Sequence, residues 1–489
     1  MSTLVDSRSS AGAVKAAHNS VFLLGSQILT KLSSFVVVIL LARYLKVGDF
    51  GIYSLALAVT GMTDIFAELG LDQLSVREIA RDHSNIGKFT VNAALIKFVL
   101  SAAILVVTAT VIFFTSMDSG GKAIFLIFTL AIIPAGIFHT LLVVFMGIER
   151  MGAVAAGNIA FEICRLLLTL AVLLTGHGLV ALSWSYLVAF VMSALLVYVL
   201  VRLRVGSVWT RPESRRMLSM ARGSLPFMFY SLFFMIYFKI DFVMLAAMKG
   251  EEVVGTYAAA YRLVESLMFV PAAFMGAVFP SLSRLSASGR APVLAASRKT
   301  LRYMAMLGLP IGFGTTILAP RIIPFLFGVA YIDSVLPLQI IIWSIVLVFI
   351  NCICPVGLNS SDRQLISVLV TGVGIVVNVG ANLILIPPLG AVGTSISTVA
   401  TEAVSTLLFL YFFQRHIGSL GVLSFIYRPV AASLLMALAL VFLRGLPLAA
   451  LIGIGAAIYL STLILSRALG RSDLGYLGTI LRPARERGA

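Results

Sequence analysis

The sequence predicts an all-α integral membrane protein with about 14 transmembrane helices, and three observations carry that prediction. Fourteen apolar stretches follow one another along the chain, each close to the roughly 20 residues that a helix needs to cross a bilayer core. Hydrophobic residues make up 60% of the 489 positions and charged residues only 11%, against roughly 25% charged in soluble domains. Lysine and arginine crowd into every second gap between the stretches, which is the bias of loops that stay cytoplasmic. A soluble multidomain protein is excluded, because no segment is long and polar enough to build one.

Taken in order, the spans fall at 19–42, 49–69, 89–115, 122–146, 154–175, 179–202, 223–246, 254–280, 299–319, 335–358, 366–386, 391–414, 425–443 and 448–466. A polar cytoplasmic tail at 1–18 precedes them. A full-length span follows it, so no cleavable signal peptide is expected. With this tail inside, the cytoplasmic segments hold about 25 of the 36 lysines and arginines and the outer loops about 6. Both termini are therefore expected on the cytoplasmic side of the cell (inner or plasma) membrane. The net charge of +16 does not imply nucleic acid. Arg202, Arg204, Arg211, Arg215, Arg216 and Arg222 flank membrane ends, where cations meet the anionic headgroups of membrane lipids. Cys164, Cys352 and Cys354 all fall within spans and read as small packing residues, not as a disulfide framework.

The chain also resembles itself. Gly51-Ile52-Tyr53 at the start of span two matches Gly255-Thr256-Tyr257 at the start of span eight, 204 residues on. Gly178-Leu179-Val180-Ala181 before span six matches Gly390-Ala391-Val392-Gly393 before span twelve, 212 residues on. A shift of six spans preserves orientation. The repeat therefore predicts two six-helix lobes related by a pseudo-twofold axis along the membrane normal. The expected domains are an N-lobe at 19–202, a cytoplasmic linker at 203–222, a C-lobe at 223–414, two extra helices at 425–466 and a cytoplasmic tail at 467–489. Binding sites in such repeats lie at the repeat interface near the midplane.

Catalytic and cofactor chemistry find no support. There is no Gly-x-x-x-x-Gly-Lys-[Ser/Thr] phosphate loop, and His18, His83, His139, His177 and His416 are scattered singly, without metal-ligand spacing. No outer loop exceeds about 15 residues, which disfavours a membrane-bound glycan polymerase or ligase. Neither an enzyme nor a cofactor is expected.

Function must then come from polar groups inside the spans, which are costly there and face a bundle interior or a wet cavity. Span one offers Gln27, Lys31 and Ser34 on one face, and span five offers Asn158, Glu162, Arg165 and Thr169. Span eleven carries Thr371, Asn378 and Asn382; span twelve carries Thr394, Thr398, Glu402 and Ser405. Glu162 and Arg165 are three apart, as are Arg262 and Glu265, so each pair fits an intrahelical ion pair as well as a ligand site. Lys31 and Lys97 have no acid on their own helix face, and Lys239 and Asp241 point differently. These groups need partners from other helices, a ligand or water. Lys31, central in its span, reads as substrate-facing, whereas Lys97 is placed to snorkel to the membrane surface. Glu402 lies among hydroxyls, in a setting that suits either ion coupling or helix packing. Asp64 and Glu68, at the inner end of span two, read as contacts of Arg77 and Arg81. Pro134, Pro271, Pro310 and Pro355 interrupt spans four, eight, nine and ten, and each tends to kink its helix. Pro310 sits among Gly308, Gly312 and Gly314, which suits a bend that moves.

Several of these segments carry a family resemblance. Ala42-Arg43-Tyr44-Leu45 with Asp49-Phe50-Gly51-Ile52-Tyr53 resembles the first outer loop of the polysaccharide flippases. These are O-antigen and exopolysaccharide repeat-unit exporters of the multidrug/oligosaccharidyl-lipid/polysaccharide superfamily. Asp64 through Glu68-Leu69-Gly70 and Arg77-Glu78-Ile79-Ala80-Arg81 are similar to that family's end of span two and its following cytoplasmic helix. Lys239-Ile240-Asp241, Val254-Gly255-Thr256-Tyr257, Arg262-Leu263-Val264-Glu265 and Phe279-Pro280 match its spans seven and eight. Phe327-Gly328 followed by Tyr331 resembles its loop before span ten.

The resemblance implies a secondary transporter that moves a polyprenyl-pyrophosphate-linked oligosaccharide to the outer leaflet by alternating access. Energy would come from an H+ or Na+ gradient or from downstream polymerisation, with a polysaccharide polymerase and export proteins as partners. Lys31, Arg165, Lys239 and Arg262, with Gln27 and Asn158 beside them, are the substrate candidates; Glu402, Asp241 and Glu265 are the ion-coupling candidates. Two alternatives share the fold. A multidrug cation antiporter needs acids in its N-terminal cavity, and span one has none. A peptidoglycan-precursor flippase is expected to show a more cationic cavity.

Overall fold

A computed structural model describes residues 25–115 and 117–468, and its regular structure there is entirely helical. The tail at 1–18 with His18, the first residues of span one, and the C-terminal tail beyond 468 lie outside the described residues. Fourteen helical segments among the described residues are long and apolar enough to cross a membrane, and each overlaps one of the fourteen expected spans. The chain divides into two compact units, Met1–Val243 and Met244–Ala489.

The first unit contains α1 (Gly25–Tyr44), α2 (Val47–Glu68), the short α3 (Leu71–Arg81) and α4 (Ile86–Phe113). It continues with α5 (Ser119–Leu130), α6 (Ile132–Gly147), α7 (Met151–Leu174), α8 (Leu179–Arg204) and most of α9 (Ser214–Lys249). Helix α6 is its spine, packing against α3, α4, α7 and α8. Phe138, Leu142 and Phe145 of α6 meet Phe190, Val197 and Val201 of α8 in a buried cluster. Lipid tails are as apolar as leucine, so dispersion and close approach hold such helices together more than water exclusion does. Gly157 of α7 shows this, since a Cβ there would lie 2.7 Å from Leu142 Cδ2 and 3.1 Å from Val197 Cγ2. The amphipathic α3 turns Leu71, Leu74 and Ile79 inward against α4 and α6. It leaves α2 through a left-handed turn at Leu69 (φ 53°) and Gly70 (φ 71°). A side chain at Gly70 would strike the α9 backbone at Ser224 and Met228.

The unit boundary falls inside α9, whereas the linker was expected at 203–222. Only 205–213 connects α8 to α9, and the start of α9 is fastened to the first unit. The amide of Glu213 donates to Asn92 Oδ1 at 2.9 Å, Arg216 lies over the Phe89 ring at 5.7 Å, and Arg77 lies over Phe227 at 5.9 Å. Hydropathy marks only the apolar middle of this 36-residue helix. The same holds for the 37-residue α12, whose basic first turns precede its apolar part.

The second unit contains α10 (Glu251–Leu267), α11 (Phe269–Ser286), α12 (Arg290–Leu326), α13 (Val335–Asn351) and α14 (Ile353–Ser360). It ends with α15 (Gln364–Leu389), α16 (Ala391–His416), α17 (Val422–Phe442) and α18 (Leu448–Leu465). Its central helix is α12, which packs against α13 on one side and α17 and α18 on another. The α12–α13 contact is close because Gly308 and Gly312 are four apart. A Cβ on Gly308 would lie 2.9 Å from Phe349 Cβ, and one on Gly312 would lie 2.6 Å from Val346 Cγ2. On the other side, Tyr303, Met306 and Leu318 meet Met436, Leu440, Tyr459 and Leu463. The Tyr459 hydroxyl donates to the Met306 carbonyl at 2.7 Å inside that contact.

Prolines explain three of the helix breaks. A proline's ring clashes with the carbonyl four residues back and supplies no donor to it. Counting back four from Pro134, Pro271 and Pro355 gives Leu130, Leu267 and Asn351, which are the last residues of α5, α10 and α13. Pro226, Pro310, Pro320, Pro324, Pro387, Pro388 and Pro429 behave differently: α9, α12, α15 and α17 run through them unbroken. Beside Pro310, Gly308 and Gly312 serve close packing against α13. Helix starts also repeat along the chain. Helix α2 begins at Val47 and α10 at Glu251, 204 residues on, while α8 begins at Leu179 and α16 at Ala391, 212 residues on.

Candidate functional site

The ionisable side chains inside the first unit form two connected groups. The first is on α7, where Arg165 Nη2 donates to Glu162 Oε2 at 2.7 Å. Both side chains keep about a tenth of their exposure. The i,i+3 spacing anticipated this pair, and burial makes it a tight one. Arg165 also lies over the Phe161 ring at 5.8 Å, and its Nε has no hydrogen-bond partner. Phe161 is held by stacking on Phe190 at 4.2 Å. Lys31 of α1 is exposed, as is Gln27, and Asn158 is half-buried. The Lys31 ammonium acts electrostatically on Glu162, so α1 and α7 bring a second cation to the pair.

The second group was not anticipated as a unit. Lys97 of α4 does not snorkel: its side chain is 3% exposed, and Nζ bonds Asp72 Oδ1 of α3 at 2.6 Å. A buried ammonium without an acid on its own helix draws one from a neighbour, because an unpaired charge there is expensive. Asp64 and Glu68 of α2 do not serve Arg77 and Arg81, which bind Glu78 at 2.9 and 3.3 Å instead. Their charges act with Lys97 and Asp72, and the Gln73 amide reaches Glu68 Oε1 at 3.1 Å. His139 of α6 interacts with Asp64, Asp72 and Lys97. Tyr186 of α8 lies within electrostatic reach of Asp64, Glu162 and Arg165. The second group thus draws on α2, α3, α4 and α6, with Tyr186 in electrostatic reach of both groups. One signal for it was in the sequence, since Lys97 required a partner from another helix. His139 looked isolated because its partners lie on three other elements.

The remaining candidates on α9 also belong to the first unit. Lys239 Nζ sits over the Phe242 ring at 5.4 Å, and Asp241 is buried.

The second unit repeats the ion pair with its order reversed. Arg262 Nη1 donates to Glu265 Oε2 at 2.7 Å, and Arg262 Nε again has no partner. Nearby lies a buried polar seam. Asn382 Nδ2 donates to Asn378 Oδ1 at 3.1 Å, Tyr257 and Thr398 hydroxyls meet at 3.4 Å, and Asn351 Nδ2 donates to Thr406 Oγ1 at 2.7 Å. Glu402 is buried on the same helix, α16. Most hydroxyls of α16 bond carbonyls one turn back within the helix, as Thr394, Ser395, Ser397 and Thr401 do. Among the described residues, no three His, Cys, Asp or Glu side chains are grouped so as to hold a metal ion.

The geometry is that of charged side chains buried among membrane-length helices. A family model described as polysaccharide biosynthesis protein matches residues 16–286. A curated relative, the probable low-salt glycan biosynthesis flippase Agl15 of Haloferax volcanii, is 23% identical over 400 residues, covering 81% of this chain and 83% of its own. Among solved structures, the lipid II flippase MurJ in an inward closed conformation superposes with a TM-score of 0.73 at 12% identity, covering 92% of this chain and all of its own. An inward-facing multidrug resistance MATE transporter of the MOP superfamily gives 0.67 at 16% identity, covering 82% and 98%. At these identities the two structures establish the fold. The similar proteins are flippases and transporters, not catalytic enzymes.

Proposed function

Since the chain belongs to the polysaccharide biosynthesis protein family, we propose that it flips a polyprenyl-pyrophosphate-linked oligosaccharide across the cell membrane, from the cytoplasmic to the outer leaflet. Both termini are placed inside, following the distribution of basic residues. The observation that carries the reading is the Glu162–Arg165 pair beside Lys31. Arg165 is a buried cation in a membrane helix with a donor to spare, and Lys31 is an exposed one near it. Guanidinium groups bind phosphate oxygens through paired donors, and an ammonium adds a point charge. Together these groups suit a diphosphate better than a cationic drug. The multidrug alternative is further weakened because the described part of span one carries no acid.

Lys31 and Arg165 are assigned to the pyrophosphate or to acidic sugars, with Gln27 and Asn158 as neutral partners to the glycan. Lys239 and Arg262 are assigned the same kind of contact, and Glu402, Asp241 and Glu265 the coupling ion. Movement is by alternating access, with energy from an ion gradient or from polymerisation outside. Lys31→Ala is the direct test, because an exposed side chain can be lost without unfolding the helix. Lipid-linked glycan reaching the outer leaflet should fall about tenfold or more, which is the loss of one charge-assisted contact. Unchanged export at normal protein level would remove Lys31 from the path.

A further inference from the structure

The cluster Asp64, Glu68, Asp72, Lys97 and His139 lies outside the residues assigned to the cargo or to the coupling ion. Four elements supply it: α2 gives two carboxyls, α3 one, α4 an ammonium and α6 an imidazole. Helix α5, which also packs against α2, brings only Lys122 among charged side chains, at its first turn. Helix α8 brings the Tyr186 phenol. Within the cluster, three carboxyl groups face one ammonium and one imidazole. Lys97 can neutralise one acid at a time, and it now holds Asp72 at 2.6 Å. The surplus negative charge on Asp64 and Glu68 sits in a membrane helix, where an uncompensated charge is poorly tolerated.

We propose that these residues form a proton-binding site in the first unit, carried on the Asp64 and Glu68 carboxyls and governed by the position of Lys97. A proton taken from water forms one O–H bond on either carboxyl while Lys97 is held by Asp72. When Lys97 turns to those carboxyls, the O–H bond breaks and the proton returns to water. No other bond changes. A metal cation fits less well, because among the described residues no three His, Cys, Asp or Glu side chains are grouped so as to hold one. Two consequences follow from the neighbours. Asp72 lies on α3, so the position of Lys97 decides how firmly α3 is tied to α4. Tyr186 is within electrostatic reach of both Asp64 and the Glu162–Arg165 pair, so a proton at the former is felt at the latter. The site rests on the first unit alone and does not depend on which cargo the protein carries.

The test uses the purified full-length chain in detergent without any glycan. Dicyclohexylcarbodiimide reacts with protonated carboxyls in apolar surroundings, and mass spectrometry locates the adduct. The expected result is labelling of Asp64 or Glu68 in the unaltered protein at about pH 5 that is lost as pH rises to about 8. Infrared spectra should show a protonated-carboxyl band that shrinks in Asp64→Asn and in Glu68→Gln. Absence of label from both carboxyls at the lower pH overturns the site. Suppression of the label by sodium chloride but not by choline chloride also overturns it, because the ligand would then be sodium. Neither result bears on glycan export, and loss of export in Lys31→Ala would not bear on the proton.

Discussion

Replacing Asp72 with alanine strands the Lys97 ammonium. That side chain is 3% exposed and takes its carboxylate from a different helix at 2.6 Å. Removing one member of a buried pair costs about 3–5 kcal/mol, mostly because the other charge stays behind unpaired. The cost here belongs at the low end, about 3 kcal/mol, because Asp64 and Glu68 remain close enough to attract the ammonium. Adding Lys97→Met removes the stranded charge. The double variant should therefore recover to within about 1–2 kcal/mol of the parent, with a coupling of about 2 kcal/mol. Equilibrium unfolding of the purified chain in mixed micelles, followed by circular dichroism, measures all four members of the cycle. A loss below about 0.5 kcal/mol for Asp72→Ala, or strict additivity in the double variant, would refute the reasoning.

Three further outcomes are expected. Gly312→Ala places a Cβ 2.6 Å from Val346 Cγ2 and should cost about 1–3 kcal/mol by overpacking. Val346→Ala on the facing helix should relieve that cost in the same unfolding assay. Tyr459→Phe loses the bond to the Met306 carbonyl and should cost about 0.6 kcal/mol, up to about 1.7; a neutral substitution would show that α18 is held by packing alone. Asp82→Ala tests the turn between α3 and α4. Its carboxyl accepts from the Ser84 hydroxyl and amide, each at 2.9 Å, and these bonds, the hydroxyl first, hold it below the usual carboxylate range. A lowered native value means the stabilisation is complete above the ordinary carboxylate value and fades as pH falls through the lowered one. The Tm difference between parent and variant should be full at pH 7 and small near about pH 2.

How much of this was legible in the sequence depends on how far apart the causes lie. The fourteen spans were legible because length and hydropathy are local. The ends of α9 and α12 were not, since a helix continues past the lipid wherever backbone bonding continues, and hydropathy says nothing of that. The breaks after Leu130, Leu267 and Asn351 follow from a proline four residues on, a rule that needs only the order of residues. Pro310 shows its limit: the same residue in α12 leaves the helix whole. The ion pairs Glu162–Arg165 and Arg262–Glu265 were visible as i,i+3 spacing. The Lys97 cluster was not, because its members come from α2, α3, α4 and α6, and no single helix face displays more than two of them. His139 is the clearest example. Read alone along the chain it had no neighbour, and the fold gives it three.

Helix α12 also sets a timetable for making the protein. One of its sides is covered by α13, which follows directly. The other waits for α17 and α18, which begin more than a hundred residues later at Val422 and Leu448. Chains are synthesised at about 5–20 residues per second, so for several seconds Tyr303, Met306 and Leu318 touch acyl chains or a biogenesis factor. The Met306 carbonyl, which Pro310 four residues on leaves without an amide donor, gains the Tyr459 phenol only once α18 has been made. Arg302 and Arg428 then clasp the carbonyls just after α18, at Ala468 and Arg467. Closure of the second unit therefore waits for α18, and a nascent chain halted before Leu448 would leave that side of α12 uncovered.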